Sequence, residues 1–141
     1  MSVGAICVRS VEVASAQETV QAVSRRMSKA GVGTVVVLGE RKRPLGILTD
    51  RDIAIRCVAE DRDPAVATVG TVMSAPPVCV LESTAIEEAL VRMASTHVRR
   101  LVVVNGEGAL VGILALDDVL ELLAEEAETI GRLLADRAAR R

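Results

Sequence analysis

The chain repeats one stretch of its sequence after 66 positions. Residues 46–53 read GILTDRDI, and residues 112–119 read GILALDDV. The same offset aligns Arg26-Met27 with Arg92-Met93. A helical solenoid stacks three or more repeats that are shorter than this one. Two long copies therefore predict two similar units that close on each other as a pair.

The two copies divide the chain near Val66. Charged residues and prolines interrupt the apolar periodicity around this point, at residues 61–64 and 75–77. We expect the first unit to span residues 1–66 and the second to span residues 67–141. Because 141 residues fit one compact domain, the two units should share one hydrophobic interior.

Each copy predicts the same order of secondary structure, β-α-β-β-α. In the first copy a short alternating strand precedes a helix that an S-x-x-E capping box opens at Ser15. Two apolar runs separated by a charged turn, residues 35–38 and 45–48, predict a hairpin, and residues 50–60 return to helical spacing. The second copy repeats this order, with a strong turn signal at Asn105-Gly106. The fold class is therefore mixed α/β (α+β).

After Leu114 the sequence predicts one long C-terminal helix. Its apolar residues fall on one stripe: Leu116, Val119, Leu120, Leu123, Ala127, Ile130 and Leu134. Acidic residues crowd its beginning and arginines crowd its end, which complements the helix dipole. The stripe is longer than a repeat needs, so it either covers the chain's own core or packs on a second subunit in a homodimer.

Composition restricts the classes of function. With 17 basic and 19 acidic residues, the chain has no overall attraction for nucleic acid or anionic lipid. No apolar run approaches the roughly 18 residues of a membrane helix, and no secretory signal is recognisable, so we expect a cytoplasmic protein. Cys7, Cys57 and Cys79 are widely spaced, which favours reduced thiols over a disulfide framework or a zinc knuckle.

The repeated motif contains side chains that could bind a ligand. In the first copy it runs from Gly46 through Thr49 to Asp52, where a strand ends and a helix begins. Asp52 can accept hydrogen bonds from two vicinal ribose hydroxyls, and Thr49 can donate to a phosphate or ribose oxygen. The same spacing is that of a helix capping box, in which both side chains bind backbone N–H groups. The two roles can coexist.

This motif, its tandem arrangement, the helices around Met27 and Met93, and the strand entries at Val32 and Val98 resemble the cystathionine β-synthase (CBS) domain. That domain occurs in pairs called Bateman modules. The likeness covers essentially the whole chain and is greatest to small stand-alone bacterial proteins that consist of one pair. It implies a pseudo-twofold disc with two clefts, which in many members bind AMP, ADP, ATP or S-adenosylmethionine.

The resemblance also implies which residues line a cleft in the first copy. Gly46 would let a ligand or a neighbouring strand approach the backbone closely, while Thr49 and Asp52 would hold ribose and phosphate. An aliphatic bed for adenine would come from Val35, Val37 and Ile47. Since the chain has no Phe, Tyr or Trp, a base has no aromatic platform on which to stack.

The second copy departs from the motif. Ala115 replaces the threonine and cannot donate a hydrogen bond, while Asp118 is retained, so we expect this cleft to hold a ribose but to bind phosphate less well. Arg99 and Arg100 lie where nucleotide-binding relatives place a basic pair that reaches the phosphates. Adjacent strand residues point to opposite faces, so at most one of the two arginines faces a given cleft. We therefore expect unequal sites and one ligand per chain.

The sequence thus predicts a non-enzymatic regulatory module that binds an adenosine compound and passes its signal to a separate effector protein of unknown identity. The alternative is a ligand-free scaffold or protein-interaction dimer, which Ala115 and the absence of first-copy arginines favour. An enzyme acting on nucleotides is a third reading. It is disfavoured because the single histidine, His97, lacks a nucleophile and base arrangement around it and no metal-ligand motif is apparent.

Overall fold

Two three-stranded sheets, one from each repeat, form the centre of the molecule. The computed structural model describes residues 1–140. The strands of the first sheet are β1 (Val13–Ala14), β2 (Thr34–Leu38) and β3 (Pro44–Thr49). Those of the second are β4 (Cys79–Leu81), β5 (Arg100–Val104) and β6 (Leu110–Ala115). In each sheet the first strand is parallel to the second and the second is antiparallel to the third, which confirms the tandem mixed fold.

Helices connect and flank these sheets. They are α1 (Val3–Ile6), α2 (Val20–Ala30), α3 (Asp50–Ile53) continued by a π-helical turn (Ala54–Val58), α4 (Ile86–Thr96) and α5 (Leu116–Ala139). Short 3₁₀ turns occur at Glu40–Lys42 and Val69–Thr71.

Helix α2 begins later than its sequence predicts. Ser15 and Glu18 do pair, since the Ser15 amide donates to Glu18 Oε2 at 2.9 Å, but they close a turn that precedes the helix. The N-cap is Thr19, whose hydroxyl oxygen accepts from the Ala22 amide at 3.2 Å. The helix ends at Gly31, whose φ of 68° favours glycine.

The leading segment of each repeat packs on the other repeat. Val3 is buried among residues of the second repeat, including Leu114, whereas Val69 and Val72 are buried against the first repeat with Leu48. Backbone bonds fix both crossings: the Gly4 amide donates to the Glu82 carbonyl, and the Gly70 amide donates to the Ala16 carbonyl. The hydrophobic core of each repeat contains residues from both halves of the chain. The division into two units at residues 1–66 and 67–141 therefore stays a prediction.

A third apolar cluster lies between the two sheets. At its centre are Val36 of β2 and Val102 of β5, both with no exposed surface. Ile47 and Ile113, which pair with these two valines in β3 and β6, pack against them. The two repeats thus share one interior, as the tandem sequence predicts.

Helix α5 leaves the body of the molecule after its first two turns. Val119 is its only buried side chain among the described residues, and residues 123–140 are all exposed. The stripe therefore covers the chain's own core only at Leu116 and Val119, and its part from Leu123 onward does not, which was one of the two alternatives that the sequence left open. Among residues 1–140, no helix combines the length and the apolar character that crossing a bilayer requires.

Candidate functional site

The first-copy motif forms a complete helix cap. Thr49 is the N-cap of α3, and its Oγ1 accepts a hydrogen bond from the Asp52 amide at 3.1 Å. In return Asp52 Oδ2 accepts from the Thr49 amide at 3.0 Å. The Thr49 hydroxyl keeps its own proton and can still donate to a ligand, because only its oxygen is used by the cap.

The second oxygen of Asp52 is also occupied. Asp52 Oδ1 accepts a hydrogen bond from Ser74 Oγ at 3.2 Å, and a guanidinium nitrogen of Arg56 lies 3.7 Å away. The same nitrogen of Arg56 donates to the carbonyls of Val72 at 3.1 Å and Met73 at 2.9 Å. With a donor on each oxygen, Asp52 has fewer free acceptor positions for a ribose hydroxyl than a carboxylate with one unpartnered oxygen.

The motif itself gives no sign of this arrangement. Ser74 is 22 residues from Asp52 and lies in the segment that leads into the second repeat. Only the i, i+4 spacing of Asp52 and Arg56 could have been read as a helical ion pair.

The equivalent carboxylate in the second repeat, that of Asp118, accepts fewer hydrogen bonds. Asp118 Oδ2 accepts from the Ala115 amide at 3.0 Å, but Ala115 has no side-chain acceptor with which to complete the cap. The positions 66 residues from Ser74 and Arg56 are Val8 and Leu122, and neither side chain can donate a hydrogen bond. Within residues 1–140, Asp118 Oδ1 has no hydrogen-bond or ion-pair partner.

Two arginines lie at the same end of the second sheet. Arg100 is the β5 partner of Ala115, and the carbonyl of Arg99 accepts from the Leu116 amide at 2.8 Å. Together with Asp117 these residues line a cavity of about 130 Å³. Both arginines are exposed, and neither forms a salt bridge in the described part of the chain.

That cavity is small, since sites for whole drug-sized ligands measure roughly 300–1,000 Å³. It has room for one phosphate group, and the two guanidinium groups outweigh the single carboxylate of Asp117 in charge.

The largest cavity near the first motif is not beside Asp52. It measures about 520 Å³ and lies between the C-terminal end of α2 and the beginning of α3. Its lining residues are Ser24, Met27, Ser28, Gly31, Val32, Gly33, Asp50 and Ile53. Among residues 1–140, no cationic side chain lines it, so it offers no positive charge to a phosphate group.

The motif glycines are explained by close approach of the chain to itself. A Cβ atom on Gly46 would lie 2.8 Å from the carbonyl oxygen of Ser74, and one on Gly112 would lie 2.3 Å from that of Val8. Each contact belongs to a short antiparallel bridge. One bridge joins Ile47 to Ser74, and the other joins Ile113 to Val8. The sequence predicts that either a ligand or a neighbouring strand lies close to Gly46, and in the structure the chain segment around Ser74 lies there.

The expected adenine bed is divided between two faces of the first sheet. Ile47 lies opposite Val36 and packs between the two sheets. Val35 and Val37 point to the other face, where they are buried with Leu48 beneath α2. This corrects the expectation that Val35 and Val37 share a surface with Ile47, because alternate strand residues point to opposite sides.

A family model described as CBS domain matches residues 3–58 and 69–125. The chain belongs to the CBS domain family. It is 34% identical over 122 residues to an uncharacterized protein of Methanopyrus kandleri, a match that covers 86% of this chain and 62% of that protein. The chain therefore spans less than two thirds of that relative. It is also 34% identical over 127 residues to hypoxic response protein 1 of Mycobacterium tuberculosis, covering 90% and 84%.

Solved structures of CBS-domain proteins have the same fold. Hypoxic Response Protein I with two coordinated zinc ions aligns with a TM-score of 0.77 and 30% identity, covering 86% of this chain and 98% of that one. A CBS domain protein from Pyrobaculum aerophilum complexed with AMP gives 0.75 and 27%, covering 88% and 99%. The cytosolic domain of the Mg²⁺ channel MgtE in complex with ATP gives 0.74 and 29%, covering 86% and 48%.

These matches identify the chain as a CBS-domain pair of the regulatory type. Among residues 1–140, no group of three or more His, Cys, Asp or Glu side chains is placed to hold a metal ion.

Proposed function

We propose that the chain is a non-enzymatic sensor that binds an adenosine-containing ligand, AMP, ADP, ATP or S-adenosylmethionine, in a cleft between its two CBS repeats. We further propose that the second repeat supplies the main polar contacts. The observation that carries this proposal concerns residues 1–140, within which one carboxylate oxygen of Asp118 has no partner and two arginines at the same end of the sheet form no salt bridge.

A ribose diol is the ligand group that fits Asp118. Its Oδ2 is held by the Ala115 amide, which fixes the carboxylate while Oδ1 remains available as an acceptor. Val8 and Leu122, at the positions that correspond to Ser74 and Arg56, have no side-chain donor that could compete. A hydrogen bond to a charged acceptor is worth about 1.5–3 kcal/mol, more than one between neutral groups.

Phosphate recognition falls to Arg99 and Arg100. The loss of the motif threonine at Ala115 removes one hydroxyl donor, but a guanidinium group supplies several donors and a full charge. Arg100 begins β5 and Arg99 precedes it, and because both line the same cavity, either guanidinium group can reach a phosphate held there. A ligand with phosphates should therefore bind more tightly than S-adenosylmethionine.

The first repeat forms the weaker site. A ribose hydroxyl there competes with Ser74 and Arg56 for Asp52 Oδ1. The positions that correspond to the two arginines are Gly33 and Thr34, which carry no charge. This inequality supports one ligand per chain, with Thr49 and Asp52 acting chiefly as the cap of α3.

Signalling follows from where the ligand binds. A ligand held between the repeats stabilises whichever arrangement of the repeats it binds better, and it shifts populations by no more than that difference in affinity. We propose that the signal passes to a separate protein or through the geometry of a homodimer. A cytoplasmic location fits these roles.

A ligand-free scaffold remains the alternative function. Two observations favour it: Asp52 has donors on both oxygens, and the cavity beside Arg99 and Arg100 measures only about 130 Å³. In that case the same fold would bind a protein partner without a small-molecule signal.

Thermal shift measurements with AMP, ADP, ATP and S-adenosylmethionine separate the two functions. A ligand at one hundred times its dissociation constant stabilises the folded chain by about 2.7 kcal/mol. For a chain of this length, that corresponds to a rise in melting temperature of roughly 5–10 °C. No rise with any of these compounds at millimolar concentration would leave the scaffold as the function.

Matched variants of the two motif aspartates locate the site. Asp118→Asn keeps an oxygen that can cap α5 but removes the charge, and Asp52→Asn makes the same change in the first repeat. We expect the ligand-induced shift to be lost in Asp118→Asn and retained in Asp52→Asn. The opposite result would place the site in the first repeat. Because the chain has no aromatic residue, a copurified nucleotide would dominate its ultraviolet absorbance.

A further inference from the structure

The outer part of α5 carries an apolar stripe that the chain leaves uncovered. Leu120 is 53% exposed, Leu123 51%, Ile130 57% and Leu134 62%. Single exposed apolar residues are common on protein surfaces, but these four lie in a row with Ala127 along one helix. Helices in proteins gain most of their stability from packing an apolar face rather than from helix propensity.

The spacing of the stripe is that of a coiled-coil seam. Leu120, Leu123, Ala127, Ile130 and Leu134 follow one another at intervals of three, four, three and four residues. Alternating intervals of three and four place side chains on one narrow seam that fits a second helix. The flanking positions Ala124 and Gly131 are small, so a second helix can approach closely. Within residues 1–140, no atom outside the backbone of α5 itself lies within 4 Å of the Cβ position at Gly131.

The charges along α5 favour a second copy of the same helix as the partner, in the antiparallel orientation. Residues 117–128 contain six acidic residues and no basic residue. Residues 129–140 contain three arginines and one aspartate. A parallel copy of α5 would place the acidic halves side by side, whereas an antiparallel copy places each acidic half against an arginine-bearing half.

We propose that α5 pairs antiparallel with α5 of a second copy of this chain. A coiled-coil seam is made of two alternating heptad positions, a and d. In an antiparallel pair, each a position of one helix faces a d position of the other. This register places Leu123 against Leu134 of the partner subunit and Ala127 against Ile130 of the partner subunit. The pairing uses no residue of the ligand site, so it stands or fails independently of the adenosine ligand.

The oligomeric state of two adjacent variants tests this surface. Ile130→Glu places a charge in the seam, and Thr129→Glu adds the same charge one residue away on the face that points away from the seam. By light scattering we expect the wild-type chain and Thr129→Glu to be dimers and Ile130→Glu to be a monomer, with self-association weakened about tenfold or more. Circular dichroism should show that both variants stay folded, since both positions are exposed. A monomeric wild type, or a dimeric Ile130→Glu, would overturn the proposal.

Disulfide trapping tests the direction. Leu123→Cys and Leu134→Cys chains, one of them carrying an affinity tag, are mixed and oxidised, with the parent chain treated alongside to account for its native cysteines. The antiparallel register predicts the mixed disulfide between the two variants as the main product. Predominant Leu123→Cys homodimers, or equal amounts of mixed and homodimeric products, would contradict it.

Discussion

Ser74 donates a hydrogen bond from its Oγ to Oδ1 of Asp52 at 3.2 Å, across 22 residues of sequence. The bond joins the beginning of α3 to the segment that leads into the second repeat. The corresponding residue, which bridges to Ile113 of the second repeat, is Val8, and its side chain has no donor. The two motif aspartates therefore accept the same local hydrogen bond from a backbone amide but differ in their tertiary contacts, and only Asp52 has a second hydrogen-bond donor among residues 1–140.

The two aspartates should differ in their contribution to stability. We expect Asp118→Ala to lower the free energy of unfolding by about 1 kcal/mol, the usual cost of a helix cap. Asp52→Ala should cost about 2 kcal/mol, because it also removes a tertiary hydrogen bond worth about 1 kcal/mol. Urea unfolding of both variants measures the difference. Ser74→Ala is the control, since it removes the tertiary bond and leaves the cap, and equal losses in the two aspartate variants would contradict the assignment.

Most of the fold follows from local sequence patterns. The apolar run at residues 35–38 predicts a strand that the structure extends by one residue, to Thr34–Leu38. The turn signal at Asn105-Gly106 lies between β5 and β6 as expected. Strand alternation, turn chemistry and the repeat itself depend on neighbours in the sequence, which is why they can be recognised without coordinates.

The site is less predictable because its decisive contacts are long-range. The partners of Asp52 depend on where Ser74 crosses back to the first repeat, and no local pattern encodes that crossing. The assignment of Val35 and Val37 to a ligand surface fails for a different reason. All three valines of residues 35–37 are apolar and buried, so the sequence does not reveal which face meets α2 and which meets the second sheet.

Alanine at the motif glycines should destabilise the chain. At Gly112 a Cβ would lie 2.3 Å from the Val8 carbonyl oxygen, so the bridge between the leading segment and β6 must move. We expect Gly112→Ala to cost about 2 kcal/mol or more, as overpacking against backbone does. Gly106→Ala serves as the control, because nothing lies within 4 Å of that position. Thermal unfolding of both variants measures the effect, and similar melting temperatures would show that the bridge yields easily.

The Glu18–Arg26 pair should make stability depend on pH in the acidic range. Arg26 donates two hydrogen bonds to Glu18, and this contact holds the pKa of the Glu18 carboxyl below its ordinary value of 4.5. Because the folded pKa is the lower one, the stabilisation is fully present above pH 4.5 and is lost as pH falls through the folded pKa. Since both side chains are partly exposed, its size should not exceed about 1 kcal/mol.

Unfolding of the wild-type chain and of Glu18→Gln between pH 3 and pH 7 checks this dependence. The wild type should be the more stable at neutral pH, and the difference should shrink below pH 4.5. The second repeat offers an internal control, since Thr84 and Arg92 stand in the corresponding positions and Thr84→Gln removes no carboxylate. A difference between wild type and Glu18→Gln that is constant across this range would show that the pair does not titrate as described.

The cysteines should react slowly with thiol reagents at neutral pH. Burial raises the pKa of the Cys7 thiol and of the Cys79 thiol, so the reactive thiolate is scarce in both. Cys57 has no exposed surface and should react only when the chain opens. Labelling with dithionitrobenzoate should be slow at pH 7 and should accelerate for Cys7 and Cys79 toward pH 9, while all three thiols should react at once in guanidinium chloride. Labelling of the folded chain at pH 7 as fast as that of the unfolded chain would instead indicate an accessible thiolate and favour an oxidant-sensing role.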